Sequence, residues 1–270
     1  MFDLDKKYGT INNYRSAISA YHKPIDGTKV GKHPVVTAIL KGISNERPAQ
    51  PNYTYIWDVQ QVIDEINSMP ENIMLSRKEL TYKTATILGL CQINRSKELA
   101  ALNVKFMSKI GDCMTCSFGI RVKHSRTGKV APSVKFYTFE ENPRLCPVQC
   151  IEDYIERTKE DRENNDTTQL FLSVNKPYPP VQKETITKWV LKMLRRSGID
   201  TDRFKCHSIR AAASSKADSL GLSTQDILKM GNWSQESVWQ KYYHKEIAED
   251  QAAKRFQSIL LNNNNLKALK

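Results

Sequence analysis

Between Lys205 and Lys245 the chain reads KCHSIRAAASSKADSLGLSTQDILKMGNWSQESVWQKYYHK, which gathers imidazole, guanidinium, indole and phenol groups into one stretch. His207 and Arg210 stand three residues apart, so on a helix they leave the same face one turn from each other. Trp233, Tyr242 and Tyr243 follow. These groups suit work on a phosphodiester, which needs a nucleophile, a proton donor for the leaving oxygen and fixed donors for the phosphoryl charge. Arg210 can hold non-bridging oxygens through a bidentate contact that lysine does not imitate. His207 titrates near neutral pH, and the Trp233 indole N–H donates and never accepts. A tyrosine that attacked phosphorus would leave a phosphotyrosyl intermediate and conserve bond energy for religation. Taken singly, each group also has an ordinary structural role as a satisfied histidine, a core tryptophan or a packed tyrosine pair.

Two upstream segments supply the positive charge this stretch lacks. Arg95 stands in NRSKELAAL, just ahead of a short helix, where it can point into a cleft. Arg121, Lys123, Arg126 and Lys129 surround the turn HSRTG at 124–128, a hairpin tip able to reach a DNA groove or a phosphate. Lys123 is the candidate donor to a leaving 5′-oxygen, with Lys129 on the same hairpin. Arg121, Arg126 and Lys129 are candidate DNA contacts. A solvated hairpin edge guarded by lysines is the plainer account of the same charges.

The elements that must position these groups are mostly helical. Apolar spacing predicts helices over 10–21 and 35–40, then a proline-bearing linker at 45–52. Fewer than fifty residues before that linker are thin for an independent domain, so residues 1–48 are expected to be the later part of a helical domain, with 49–270 forming the catalytic domain. Helices are predicted over 57–69 and 76–90, the latter with Ser76 as N-cap and Glu79 completing a capping box. Residues 104–139 alternate around turns at 109–112 and 124–128, which predicts a small antiparallel sheet. A helix over 147–157, a polar exposed connection at 156–168 and a strand near 170–174 are expected next. A basic amphipathic helix follows over 185–197, capped by Gly198, and another over 248–261. The fold class is therefore mixed α+β, mainly helical.

Forty-one Lys and Arg against twenty-nine Asp and Glu give a formal charge of +12, the balance of a protein with a polyanionic partner. No run approaches the ~18 apolar residues of a membrane helix, and MFDLDKKYG lacks a signal-peptide core, so an intracellular location is expected, the nucleus if the source is eukaryotic. Cys113 with Cys116 and Cys146 with Cys150 have the spacing of zinc ligands, but the first pair lies in a strand pattern and the second opens a helix. Buried, reduced thiols are the expected state, with no metal and no cofactor.

The order Arg95, hairpin Lys123, HxxR at His207 and Arg210, Trp233 and then tyrosine resembles the tyrosine recombinase, or phage integrase, superfamily. NRSKELAALNV is similar to its first arginine box, HSIR to its HxxR box and MGNW to its G-H/W box. YGTINNYRSAISAYH, VGKHPVVTAILKGISNERP, VKHSRTGK, RLCPVQCIEDYIERT and WSQESVWQKYY further resemble integrase domains of DIRS-like and Crypton-like eukaryotic mobile elements. The resemblance implies a catalytic fold with a small antiparallel sheet, preceded by the end of a core-binding domain that clamps DNA and begins before Met1. It implies site-specific cleavage and rejoining of double-stranded DNA through a 3′-phosphotyrosyl intermediate, without metal, within a multimer, to which the helix at 248–261 contributes. Arg95, Lys123, His207, Arg210 and Trp233 then form the active site with Tyr243, the tyrosine favoured by the eukaryotic pattern, whereas bacterial spacing selects Tyr242. A DNA-binding protein derived from a mobile element, with catalysis lost, is the alternative, and a type IB topoisomerase shares the chemistry.

Overall fold

The computed structural model describes residues 4–48, 53–123, 125, 128 and 132–247, and the chain divides into two units, Met1–Tyr53 and Thr54–Lys270. In the first unit, helices α1 (Tyr8–Tyr21) and α2 (Pro34–Glu46) flank a turn. Arg15 Nη1 donates to the Gly31 carbonyl at 2.9 Å, and the Gly31 N–H donates to Ser19 Oγ at 2.9 Å. A Cβ on Gly31 would lie 2.8 Å from both partner atoms, so only glycine admits this clasp. Helix α2 runs through Glu46 and takes in the first residues of the expected linker. It stops just before Pro48, whose ring disfavours helical backbone in the preceding residue.

The second unit opens with β1 (Tyr55–Ile56) and α3 (Gln60–Ser68). The expected helix start at Trp57 is corrected: Trp57 is buried and donates its indole N–H to Ser208 Oγ at 2.9 Å, which holds it outside the helix. Helix α4 (Arg77–Cys91) carries the predicted capping box, with the Glu79 N–H donating to Ser76 Oγ at 3.2 Å and the Ser76 N–H to Glu79 Oε2 at 3.1 Å. Every residue from Leu80 to Gly89 is buried. Its threonines tolerate this because Thr81 and Thr86 return their hydroxyls to the carbonyls of Arg77 and Tyr82, at 2.7 and 2.8 Å.

Helix α5 (Ser96–Ala100) leads into the three-stranded antiparallel sheet that the sequence predicts, in the order β2 (Leu102–Ile110), β3 (Cys113–Phe118), β4 (Ser133–Tyr137). Gly111, at φ +59°, makes the first turn, and buried positions alternate along β3 and β4 so that Met114 faces Phe136. Helices α6 (Pro147–Arg157), α7 (Lys159–Asn164) and α8 (Lys183–Arg196) follow. Helix α7 corrects the expected exposed connection. Its Arg162 is buried and donates to the Leu170 carbonyl at 2.6 Å and to Thr158 Oγ1 at 2.8 Å, so one guanidinium folds a polar run onto the core. The expected strand near 170–174 is replaced by isolated bridges, Asn103 to Gln169 and Leu172 to Pro180, although Leu170, Phe171 and Leu172 are fully buried. Helix α8 ends as predicted, with Gly198 at φ +78°.

The last elements are α9 (Ser208–Ser219), α10 (Thr224–Gly231), α11 (Glu236–Tyr242) and β5 (Glu246–Ile247), which pairs in parallel with β1. The helix expected over 248–261 lies outside the described residues. Helix α4 packs against α5, α6, α8 and α9, so the element bearing Arg210 leans on the most buried helix. No helix among the described residues is long and apolar enough to cross a membrane. Cys116, Cys146, Cys150 and Cys206 are buried, and burial pushes the Cys116 thiol up to about 12 and that of Cys150 to about 11.

Lys83 is the exception in α4: it is fully buried, its Nζ has no partner among the described residues, and burial lowers its pKa. A lysine whose folded pKa is depressed lowers stability where the ammonium must stay charged, and that loss fades as pH rises towards the unfolded value of about 10.4. Lys83→Met is expected to stabilise the fold by about 1 kcal/mol or more at neutral pH. Thermal melts across pH check this, with the gain shrinking as pH approaches about 10.

Candidate active site

Helix α9 begins one residue later than the spacing of His207 and Arg210 suggests. His207 is its N-cap, at φ −65° and ψ −19°, and Arg210 lies within its first turn. The near-helical backbone of His207 keeps the expected geometry, with both side chains on one side of the helix start. His207 Nε2 lies 2.9 Å from the Tyr243 hydroxyl, and the two rings are 5.4 Å apart.

Arg210 is 1% exposed. Its Nη1 donates to the Ile93 carbonyl and its Nη2 to the Gly231 carbonyl, the latter at 2.8 Å. The guanidinium lies 4.8 Å from the Trp233 ring centre and 5.3 Å from that of Tyr243, both within reach of a cation–π contact. Burial and the Arg95 charge lower the Arg210 pKa to about 10, leaving it charged at neutral pH, while the Tyr243 hydroxyl opposes the shift.

Neither carbonyl that holds Arg210 stands out in the sequence. Ile93 takes a left-handed backbone at φ +51°, which costs a β-branched residue strain, and that turn aims its carbonyl at the guanidinium. Gly231 closes α10 beside Asn232, itself left-handed at φ +50°. A Cβ on Gly231 would lie 2.0 Å from Trp233 Cζ3, so the glycine of the MGNW motif is what allows Trp233 to fold back. Trp233 then packs with Ile93, Ile227 and Trp239, with Tyr243 against the same cluster. The Trp233 and Tyr243 rings are 4.6 Å apart. Trp233 Nε1 and Arg210 Nε are buried without a partner among the described residues.

Arg95 precedes α5 as the sequence predicts. Glu98 receives its N–H at 2.8 Å and its Nη1 at 2.7 Å, so one buried carboxylate fixes both backbone and guanidinium. The Arg95 charge reaches both Arg210 and His207. Arg121 and Lys123 are exposed on either side of buried Val122, and the Lys123 charge acts on His207. Arg126 and Lys129 lie outside the described residues. Tyr242 ends α11 with 57% of its surface exposed and is not drawn into this group; Lys241 lies 5.4 Å from its ring.

The arrangement sets the protonation of His207. Burial, then the charges of Arg210, Arg95 and Lys123, lower its pKa to about 4, against a smaller upward pull from Glu98. The imidazole is therefore neutral near pH 7, able to take a proton from the phenol 2.9 Å away. Among the described residues no three His, Cys, Asp or Glu side chains gather so as to hold a metal ion.

A model of the phage integrase family matches residues 58–249. No curated protein sequence matches significantly. Among solved structures, the integrase of transposon Tn1549 in complex with transposon right end DNA superposes with a TM-score of 0.59 at 14% identity, over 97% of this chain and 82% of that one. XerH site-specific recombinase in a pre-cleavage complex with its difH substrate gives 0.54 at 11% identity, over 93% and 70%. XerA recombinase gives 0.50 at 14%, over 94% and 82%. At these identities the likeness is one of fold.

With its folded pKa depressed, His207 contributes stability that is complete above its unfolded pKa of about 6.5 and lost as pH falls through about 4. NMR titration of its ring in the DNA-free protein is expected to give a midpoint near 4. Arg95→Ala raises that midpoint, because it removes a cation and releases the Glu98 carboxylate. A midpoint near 6.5 in both proteins would contradict the charge balance described here.

Proposed function

Because the chain belongs to the phage integrase family, we propose that it is a site-specific DNA recombinase that cuts and rejoins double-stranded DNA through a 3′-phosphotyrosyl intermediate, with Tyr243 as nucleophile. The observation that carries this reading is the Tyr243 hydroxyl, 2.9 Å from His207 and beside the buried Arg210 guanidinium. The similar XerH and Tn1549 integrase structures hold DNA, and a net charge of +12 suits the same kind of partner.

In the proposed step the Tyr243 oxygen attacks the scissile phosphorus and gives its proton to neutral His207. The bond from phosphorus to the 5′-oxygen breaks, and Lys123 protonates that oxygen as it leaves. Religation reverses each transfer. Arg95 and Arg210 hold the non-bridging oxygens, joined by the Trp233 N–H, so side chains supply the positive charge without metal or cofactor. Arg210 keeps donors for this role: each Nη has a second N–H, and Nε is unpartnered. The Tyr243 ring covers Trp233 and Arg210 in the DNA-free chain, so the phosphate enters as the phenol turns aside.

Around this centre, Arg121, Arg126 and Lys129 contact the DNA backbone, the unit before the linker belongs to a DNA-clamping domain, and several copies assemble on DNA. WSQESVWQKYY supports a place near the DIRS-like and Crypton-like integrases, a likeness that aligns their phenylalanine with Tyr242 and favours Tyr243 as the nucleophile.

Incubation with nicked duplexes drawn from the flanks of its own gene is expected to trap a covalent adduct that maps to Tyr243. Tyr243→Phe abolishes the adduct and Tyr242→Phe retains it, while Arg210→Lys slows its formation about 10²- to 10³-fold. DNA binding without any adduct would support the DNA-binding protein instead, and an adduct at Tyr242 would move the nucleophile.

A further inference from the structure

We propose that Ser215 is a positioning residue that pins the backbone of Tyr243 to α9, so that the phenol reaches the phosphate by side-chain rotation alone. This rests on the reading of Tyr243 as nucleophile. Ser215 is 3% exposed. Its hydroxyl donates to the Tyr243 carbonyl at 3.1 Å and accepts the Lys245 N–H at 2.9 Å, bridging the chain on either side of His244. A serine hydroxyl can do both at once, whereas alanine would leave a partly buried carbonyl and N–H unmet.

The same helix face and the same strap add further ties. Asp218 Oδ2 lies 3.0 Å from His244 Nε2, and the Tyr243 N–H donates to the Trp239 carbonyl at 2.8 Å. Directly after Lys245, β5 pairs with β1, with Tyr55 opposite Glu246 and Ile56 opposite Ile247. Strand β1 is in turn tied to the start of α9 by Trp57 and Ser208. The strap from Tyr243 to Ile247 is thus held to α9 at one end and to an anchored strand at the other.

The start of helix α9 also carries His207 and Arg210, about 12 Å and about 7.5 Å along its axis from Ser215 at 1.5 Å per residue. One rigid element therefore fixes both the backbone of the tyrosine and the groups it must meet. A tethered backbone with a free side chain lets the ring leave Trp233 and Arg210 while its hydroxyl stays within range of phosphorus, the positional control on which rates depend steeply. His207 is unlike Ser215 in touching the hydroxyl itself; Ser215 acts through the peptide.

The test compares the full-length protein with Ser215→Ala, Ser215→Cys and Ser215→Thr. Wild type should cleave a nicked duplex at Tyr243, and Ser215→Ala should cleave about tenfold or more slowly at saturating protein, with affinity for uncleaved DNA unchanged and Ser215→Thr restoring the rate. Ser215→Cys, close in volume, decides the matter if the alanine variant does not fold. A second readout needs no cleavage: in DNA-free protein, nitration mapped by peptides should label half-buried Tyr243 more slowly in wild type than in Ser215→Ala, with exposed Tyr242 labelled at the same rate in both. Wild-type rates of both cleavage and nitration in the alanine and cysteine variants would overturn the pin, as would equal loss in Ser215→Thr, which would assign the effect to packing. If wild type forms no adduct at Tyr243, the recombinase reading fails, and the nitration pattern still decides whether Ser215 holds the strap.

Discussion

The site depends on one buried cation. Arg210 is taken out of water almost completely, and a guanidinium there is tolerated only when its donors and charge are answered. Two main-chain carbonyls, from Ile93 and Gly231, answer it together with the faces of two aromatic rings. Among the described residues its hydrogen bonds go to carbonyls and not to a carboxylate, and the Glu98 charge acts on it without a direct contact. That charge adds to burial in lowering the His207 pKa, and it is what a phosphate would meet.

The demands of Arg210 propagate outward. Ile93 must take a left-handed backbone, which fixes the turn between α4 and Arg95. Gly231 must lack a side chain so that Trp233 can fold over the guanidinium. Trp233 then gives Tyr243 a surface to pack on, and the Tyr243 hydroxyl finds His207 at the start of the helix that carries Arg210. Glu98 performs the matching service for Arg95, receiving both its main-chain and side-chain donors. Polar contacts inside a low-dielectric cluster of this kind are strong, and those made here hold several reactive groups in register while Trp233 Nε1 and Arg210 Nε stay without a partner among the described residues.

Helix α4 provides the mechanical base. Buried from Leu80 to Gly89, it touches the helices that bear Arg95 and Arg210; Thr81 and Thr86 return their hydroxyls to carbonyls of the same helix, and Thr84 donates to the Cys150 carbonyl of α6. The three-stranded sheet lies to one side and leads into the stretch that carries Arg121 and Lys123. Rigid helices thus hold the two arginines, while Lys123 sits on an exposed connection.

The sequence by itself determined the helical α+β character, the sheet and its first turn, the capping box of α4, the glycine end of α8 and the set of reactive residue types, because each depends on local spacing or backbone chemistry. It also carried the family, through motifs spread over much of the chain. It could not show that the polar run at Lys159–Asn164 folds as a helix, since that is decided by Arg162 reaching the carbonyl of Leu170. Nor could it show that Trp57 leaves its helix to meet Ser208, far along the chain. Tyr242 and Tyr243 are adjacent and chemically identical in sequence. Only the tertiary structure separates them, because α11 ends between two side chains that point to different surroundings, one to solvent and one to Trp233, Arg210 and His207.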